Sequence, residues 1–432
     1  MTFTMIHQLF PARARLALRL LTLALTVGAM IGMSFVSAHA RVTTGAEQLI
    51  LSAFGALDGK RVGLITNQTG RVGRSHLVDI LAEAPNLELV RIFAPEHGFR
   101  GLVEAGKKVS DKRDPKTGVE VASLYGKTKK PTRRMLRGLD VLVFDIQDVG
   151  VRYYTYISTM GLAMQAAAEA GLPFVVLDRA NPLGGTYVSG DVLEKRHTSF
   201  VGQYPIPIVH GMTVGELAQM IKGERWLPGL ARLELTVVKM RGWTRDMLWP
   251  RVSNTWVATS PNIPTFESAL VYPGIGIVGL TDVNEGRGTP IPFSQFGAPW
   301  LNAREAARRL SRAGLPGVTF RAVRYVPKSI PGVAADPLFR GRQVNAVRLL
   351  IKDPVAYRPL ETGIHALVEA WRQHRRSGRK KFIRQGRMFT LISGTRRLRK
   401  ALEAGRSADA IIAGWRREVA AFRKRRAPYL LY

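Results

Sequence analysis

Four short segments bring carboxylates, amides, an imidazole and arginines together between glycines and prolines. They are Asn67-Gln68-Thr69-Gly70, Pro95-Glu96-His97-Gly98-Phe99-Arg100-Gly101, Asp145-Ile146-Gln147-Asp148-Val149-Gly150 with Arg152-Tyr153-Tyr154-Thr155-Tyr156 behind it, and Asp178-Arg179-Ala180-Asn181-Pro182. Glu96, Asp145, Asp148 and Asp178 are side chains that can carry a proton or stabilise positive charge. Cleavage of a glycosidic bond needs a protonated acid at the leaving oxygen and a second group at the anomeric carbon, which such a set supplies. A metal hydrolase draws on paired His and Asp ligands instead. The chain has eight His and neither an H-x-H nor an H-E-x-x-H pattern, so no metal is expected.

Each segment directly follows a predicted strand. Arg61 to Thr66, Leu87 to Phe93, Val141 to Phe144 and Phe174 to Leu177 are apolar runs of strand length, and Val121 to Leu124 reads as a shorter strand. Helical patterns alternate with them at Arg74 to Ala84, Pro131 to Leu136 and Ile157 to Ala170. Strand–helix–strand order with continuous Val, Ile and Leu predicts a parallel sheet covered on both faces, an α/β Rossmann-like three-layer domain. Ligands of such sheets bind beyond the carboxyl ends of the strands, where these four segments fall. No G-x-G-x-x-G follows the first strand, no P-loop is present and no G-x-S-x-G elbow occurs, so neither a dinucleotide cofactor nor a serine nucleophile is expected.

A second loop-rich region runs from Ser260-Pro261-Asn262 through Tyr272-Pro273-Gly274 to Asp282-Val283-Asn284-Glu285-Gly286-Arg287. Trp243, Trp249, Trp256 and Trp300 lie in or near it; indoles stack on sugar faces and serve equally as core. Beyond Asn302, which caps a helix with Glu305, the pattern predicts a smaller α/β unit. Its strands fall near Val318 to Val323 and Ala346 to Ile351, and its helices run from Ile364, Arg396 and Ala408. The expected organisation is a leader over 1–40, a catalytic domain over 41–300 and a basic C-terminal domain over 301–432.

Arg13, Arg15 and Arg19 precede an apolar run from Leu20 to Val36, and Ala38-His39-Ala40 follows. This is the order of a secretory signal peptide. Cleavage near Ala40 would leave a periplasmic or secreted protein; a retained anchor is the alternative. The absence of cysteine rules out disulfides, thiolate metal sites and a Cys nucleophile. Lys and Arg number 64 against 32 Asp and Glu, a net charge of +32, and 19 of those bases against three acids fall between Trp371 and Tyr432. Export argues against nucleic acid as the partner. The basic region is then either a solvated face or a contact for anionic cell envelope. The oligomeric state is not legible.

Several blocks together resemble one bacterial family. They are the Asn67, Glu96 and Asp145 segments, Tyr154-Thr155-Tyr156, Leu177-Asp178-Arg179, His210-Gly211-Met212-Thr213-Val214-Gly215-Glu216 and Gly286-Arg287-Gly288-Thr289. The family is that of the NamZ-like exo-β-N-acetylmuramidases, long carried as a domain of unknown function. The resemblance runs from about Glu47 to Tyr432. It implies an exo-acting hydrolase that removes β-1,4-linked N-acetylmuramic acid from non-reducing ends of peptidoglycan fragments, without a cofactor, at a cleft between a Rossmann-like and a smaller domain. Two departures from the family pattern stand out. Val278-Gly279-Leu280 replaces a Phe-Glu-Gly step, which bears on substrate choice or mechanism, and Ala180 replaces a proline.

On this resemblance Glu96 is expected to act as general acid in a closed, partly apolar cleft beside Phe99. His97 would shuttle the proton or orient the loop, and Asp145 or Asp148 would stabilise the oxocarbenium-like charge or position the 2-acetamido group. Arg152, Arg179 and Arg287 are the candidates for the lactyl carboxylate. Asn67, Arg100, Gln147, Tyr154, Asp178, Asn181, Asn262 and Glu285 complete the expected substrate contacts. Loop anchoring is the alternative role for Glu96, Asp145 and Asp178. Two rival functions stay open: a non-catalytic, basic peptidoglycan-binding protein and a metal-dependent phosphoester hydrolase.

Overall fold

The computed structural model describes residues 41–96, Phe99 and 112–432, so the leader sequence, His97 and Arg100 lie outside the described residues. Residues Val42–Tyr432 form one compact unit. The strands are β1 (Arg61–Thr66), β2 (Arg71–Val72), β3 (Ser75–His76), β4 (Glu88–Ala94), β5 (Lys112–Arg113), β6 (Glu120–Ser123), β7 (Val141–Asp145), β8 (Phe174–Leu177), β9 (Leu235–Val238), β10 (Gln295–Ala298), β11 (Val318–Tyr325) and β12 (Val344–Ile351).

Seven of them make the main sheet in the order β5-β6-β4-β1-β7-β8-β9. All neighbours from β6 to β9 run parallel, and β5 adds an antiparallel edge. Counted along the chain, the six parallel strands stand in the order 3-2-1-4-5-6, the doubly wound arrangement. Its direction of winding reverses between β1 and β7, where a crevice opens beyond the strand ends.

Both faces of this sheet are apolar because successive side chains alternate across it. Leu142 and Phe144 of β7 enter one core layer, with Met160, Ala163 and Ala167 of the helix Tyr156–Ala170. Val141 and Val143 enter the other, with Ala46, Leu49, Leu77 and Leu81 from the helices Gly45–Leu51 and Leu77–Ala82. Beyond it lies a three-stranded antiparallel sheet in the order β10-β12-β11. The helices Ala303–Arg312 and Pro359–Arg376 accompany it, and shorter helices carry the chain to Tyr432.

The structure revises several expected elements. The helix expected from Arg74 begins at Leu77, because Gly73 (φ +57°) turns the β2–β3 hairpin and His76 Nδ1 accepts the Val78 N–H as cap. Pro131 lies outside the first turn of its helix, which Thr132 caps over Arg133–Leu136. Strand β9 has no counterpart among the expected elements. The most consequential revision concerns the Pro-Gly-rich segment expected to be loop, which is a buried helix, Phe266–Val278, with Pro273 inside it. Its glycine lets it meet Pro359–Arg376 backbone to backbone: a β-carbon on Gly274 would stand 2.2 Å from Pro359 O.

Candidate active site

The described residues after the four strand ends lie near one another, and many of their polar groups are occupied with one another. Asn67 Oδ1 accepts the Thr69 N–H at 2.9 Å and its hydroxyl at 2.5 Å. Thr69 Oγ1 in turn accepts the Gln147 N–H, while the Gln147 amide donates to the Asp148 and Ala180 carbonyls. At the reversal point Arg179 forms a buried fork on Asp145, with Nε–Oδ1 2.6 Å and Nη2–Oδ2 2.9 Å. Asp178 accepts from the Gly215 N–H, Thr213 and Tyr432. Burial pushes its carboxyl up to about 6 against those bonds. Asn181 bridges Leu183 N–H and Met212 O. Arg152 is fully buried and clasps the carbonyls of Asp191, Ile206 and Ile392. These residues build the platform on which the cleft rests.

The cleft itself is about 580 Å3. Glu96, just beyond β4, enters it, and its Oε2 accepts the Thr155 hydroxyl at 2.7 Å. Tyr125, reached from the end of β6, stands close enough to Glu96 for that carboxyl to add to the burial that raises its phenol above the ordinary range. Tyr154, Tyr272 and Phe293 supply aromatic wall, with Tyr272 packed edge-on against both others. Asn262, Arg287 and Gln385 line both this cleft and an adjoining lobe of about 490 Å3, which also contains Glu285 and Gly279. Asn262 is 6% exposed, its Nδ2 donates to Val333 O, and its Oδ1 has no partner among the described residues.

One phenol registers the charge around it. Burial raises the Tyr272 hydroxyl; Arg287 lowers it, while Glu96, Asp148 and Glu285 raise it further. Three carboxylates and a guanidinium therefore lie within electrostatic reach of Tyr272. Burial pushes Asp148 up to about 7, although it accepts the Gly150 N–H at 2.7 Å. Its other oxygen has no partner among the described residues. Glu285 is also raised by burial, with Arg287 Nε at 3.2 Å opposing the shift. Among the described residues, the cleft and its surroundings thus hold one accessible carboxyl, two buried carboxyls biased toward their protonated forms, and one half-exposed arginine.

Comparison with known proteins decides the family. Two family models cover the chain: exo-β-N-acetylmuramidase NamZ, N-terminal, over residues 62–267, and exo-β-N-acetylmuramidase NamZ, C-terminal, over residues 270–432. The chain belongs to the NamZ family. It is 42% identical over 393 residues to the peptidoglycan β-N-acetylmuramidase NamZ of Bacillus subtilis (strain 168), spanning 91% of this chain and 92% of that protein. Two crystal structures of DUF1343 family proteins from Bacteroides fragilis NCTC 9343 are similar. One matches at 40% identity with TM-score 0.83, the other at 37% with TM-score 0.75; each comparison covers 91% of this chain and 99% of that one.

Within this NamZ fold, Glu96, Tyr154, Asn262, Glu285 and Arg287 line the cleft or its lobe, and Asp148 lies within electrostatic reach. Asn67, Asp145, Gln147, Arg152, Asp178, Arg179 and Asn181 do not line either cavity. Sequence reasoning missed Tyr125, Thr155 as partner of Glu96, and Tyr272. Tyr125 lies two residues past β6, so the strand-end rule that located Glu96 reaches it as well. Tyr272 was hidden because the proline and glycines around it signal a loop. None of Trp243, Trp249, Trp256 and Trp300 lines the cleft; the last three donate their indole N–H to Thr255 O, Ile263 O and Asp282. No cluster of three or more His, Cys, Asp or Glu among the described residues is arranged to hold a metal.

Proposed function

We propose that this chain is an exo-acting glycoside hydrolase that releases β-1,4-linked N-acetylmuramic acid from non-reducing ends of peptidoglycan fragments, with Glu96 giving the proton to the leaving oxygen. Family membership supports the reaction. The observation that carries the assignment of Glu96 is its position: it is the carboxyl that lines the aromatic-walled cleft among the described residues, oriented by Thr155. Burial of the pyranose against Tyr154, Tyr272 and Phe293 would exclude water, and a fixed acid contributes roughly 10²–10⁴-fold to such reactions. Arg287 is the guanidinium left for the lactyl carboxylate, since Arg152 is committed to backbone carbonyls and Arg179 to Asp145. Asp148 and Glu285, biased toward neutrality, would accommodate that anion at less electrostatic cost than two ionised carboxylates.

Export fits this reading, because peptidoglycan lies outside the cytoplasm; N-terminal sequencing of mature protein should begin near Arg41. The activity test is release from a chromogenic N-acetylmuramic acid β-glycoside in EDTA, comparing wild type with Glu96→Gln. Turnover that collapses in the variant while its melting temperature persists is expected. Unchanged turnover moves the acid to another carboxyl, and activity abolished by EDTA in the wild type favours metal chemistry.

A further inference from the structure

A hollow in the C-terminal half shares no residue with the cleft. It is about 710 Å3, lies among the helices Ala303–Arg312 and Pro359–Arg376 and the turn after Glu403, and is lined by Arg309, Arg372, Arg375, Arg376 and Arg406. Through Ala313, His365 and Asp409 it continues into a second hollow of about 510 Å3, where Arg358, Arg416 and Arg423 add three more guanidinium groups. Eight arginines thus line one furrow.

The carboxylates present do not neutralise them. Arg309, Arg372 and Arg376 share Glu305 and Glu369, at 2.5–3.1 Å. Asp409 faces His365 at 3.4 Å. Arg375 and Arg406 are exposed and have no carboxylate partner among the described residues. Leu310, Val368 and Trp371 form an apolar part of the lining. Guanidinium groups over an apolar floor match a ligand carrying carboxylates on a short chain.

We propose that this furrow is a non-catalytic binding site for peptide-bearing peptidoglycan, in which Arg375 and Arg406 take stem-peptide carboxylates and the apolar floor the chain that carries them. This rests on the peptidoglycan reading above. A bare glycan holds its lactyl carboxylates close against the sugar rings, whereas a stem peptide carries them on an arm that reaches into a furrow. The site anchors the protein to the wall while the cleft works on chain ends. Part of the C-terminal charge is thereby a recognition surface.

The test is co-sedimentation with purified sacculi at low and physiological salt, using the full chain, Arg375→Glu/Arg406→Glu and the milder Arg375→Ala/Arg406→Ala. Exposed charge pairs are worth up to about 1 kcal/mol each, so reversing two should weaken sacculus binding by about tenfold. Alanine should give a smaller loss, and turnover of the small chromogenic glycoside should be unchanged in both. Wild-type binding to intact sacculi should also fall when soluble stem peptide is added as competitor. Equal binding by wild type and both variants overturns the proposal. Undiminished binding in excess soluble stem peptide overturns the stem-peptide assignment in favour of lactyl carboxylates or wall phosphate. If the chain sediments as expected yet turns over no muramic acid glycoside, the furrow stands and the catalytic reading falls.

Discussion

The carboxyl carbon of Glu285 lies 2.5 Å from the point where a β-carbon on Gly279 would stand. The two residues share one space: the bare backbone at the end of the helix Phe266–Val278 makes room for a buried carboxyl beside Arg287. The Gly279 that departs from the family pattern thus leaves the space that the Glu285 side chain fills.

Gly279→Ala tests that relationship cleanly. The backbone there has φ −63°, which any residue adopts, so the cost is collision with Glu285 and not strain. We expect displaced Glu285 to carry Arg287 with it and kcat/KM to fall on the order of tenfold or more, since misplacement by about 1 Å can cost 10²-fold. The melting temperature should move little. Unchanged kinetics in a folded variant would mean that Glu285 has no bearing on the reaction.

Asp148 predicts a pH dependence of stability. Its carboxyl stands at about 7, against 3.8 when exposed. Between roughly pH 4 and 7 the folded protein keeps a proton that the unfolded chain gives up, so this group's contribution declines as pH rises through that window and levels off above it. Asp148→Asn keeps an oxygen for the Gly150 N–H and removes the titration. Melting temperatures measured from pH 4 to 8 should decline less steeply in the variant than in wild type; parallel curves would contradict the shift.

Asp145→Asn should act on folding. Removing the charge leaves the Arg179 guanidinium buried without its partner, a loss of about 3–5 kcal/mol by analogy with broken buried pairs. Denaturant midpoints should fall sharply while kcat per folded molecule stays within a few fold. The opposite pattern, a stable variant without turnover, would place Asp145 in the chemistry.

Thr155→Val removes a hydroxyl that orients Glu96 at 2.7 Å. A hydrogen bond of this kind is worth about 0.5–1.5 kcal/mol, so kcat should drop several-fold, with less change in KM. Serine at this position should restore most of the rate. Equal kinetics for threonine, serine and valine would show Glu96 to be held by other contacts.

Much of the framework was legible because buried parallel strands are written as unbroken apolar runs, and because polar groups after such strands face one rim. β9 escaped because it is a partly exposed edge strand, whose Leu235 to Val238 lacks that contrast. The helix Phe266–Val278 escaped because Pro273 and its glycines look like breaks until Pro359–Arg376 is seen packed against them. The same limit governed the site. Type and spacing located Glu96 and Arg287, but only burial and partners distinguish Arg179, locked on Asp145, from an arginine with a face toward the cleft.

Neighbouring residues Arg152 and Tyr153 also determine how separable the two halves of the chain are. Each reaches from the first family segment into the second, and each grips main chain: Arg152 the Ile392 carbonyl, Tyr153 the carbonyls of Tyr272 and Pro273. Main-chain oxygens survive any substitution, so these contacts place almost no demand on sequence across the join. Asp178 with Tyr432, Asp191 with Arg397, Glu224 with Arg425 and Tyr187 with Glu361, each joined side chain to side chain, must be inherited together. Hybrids cut near residue 268 should thus recombine among relatives that keep these matched pairs, leaving each half open to divergence away from them.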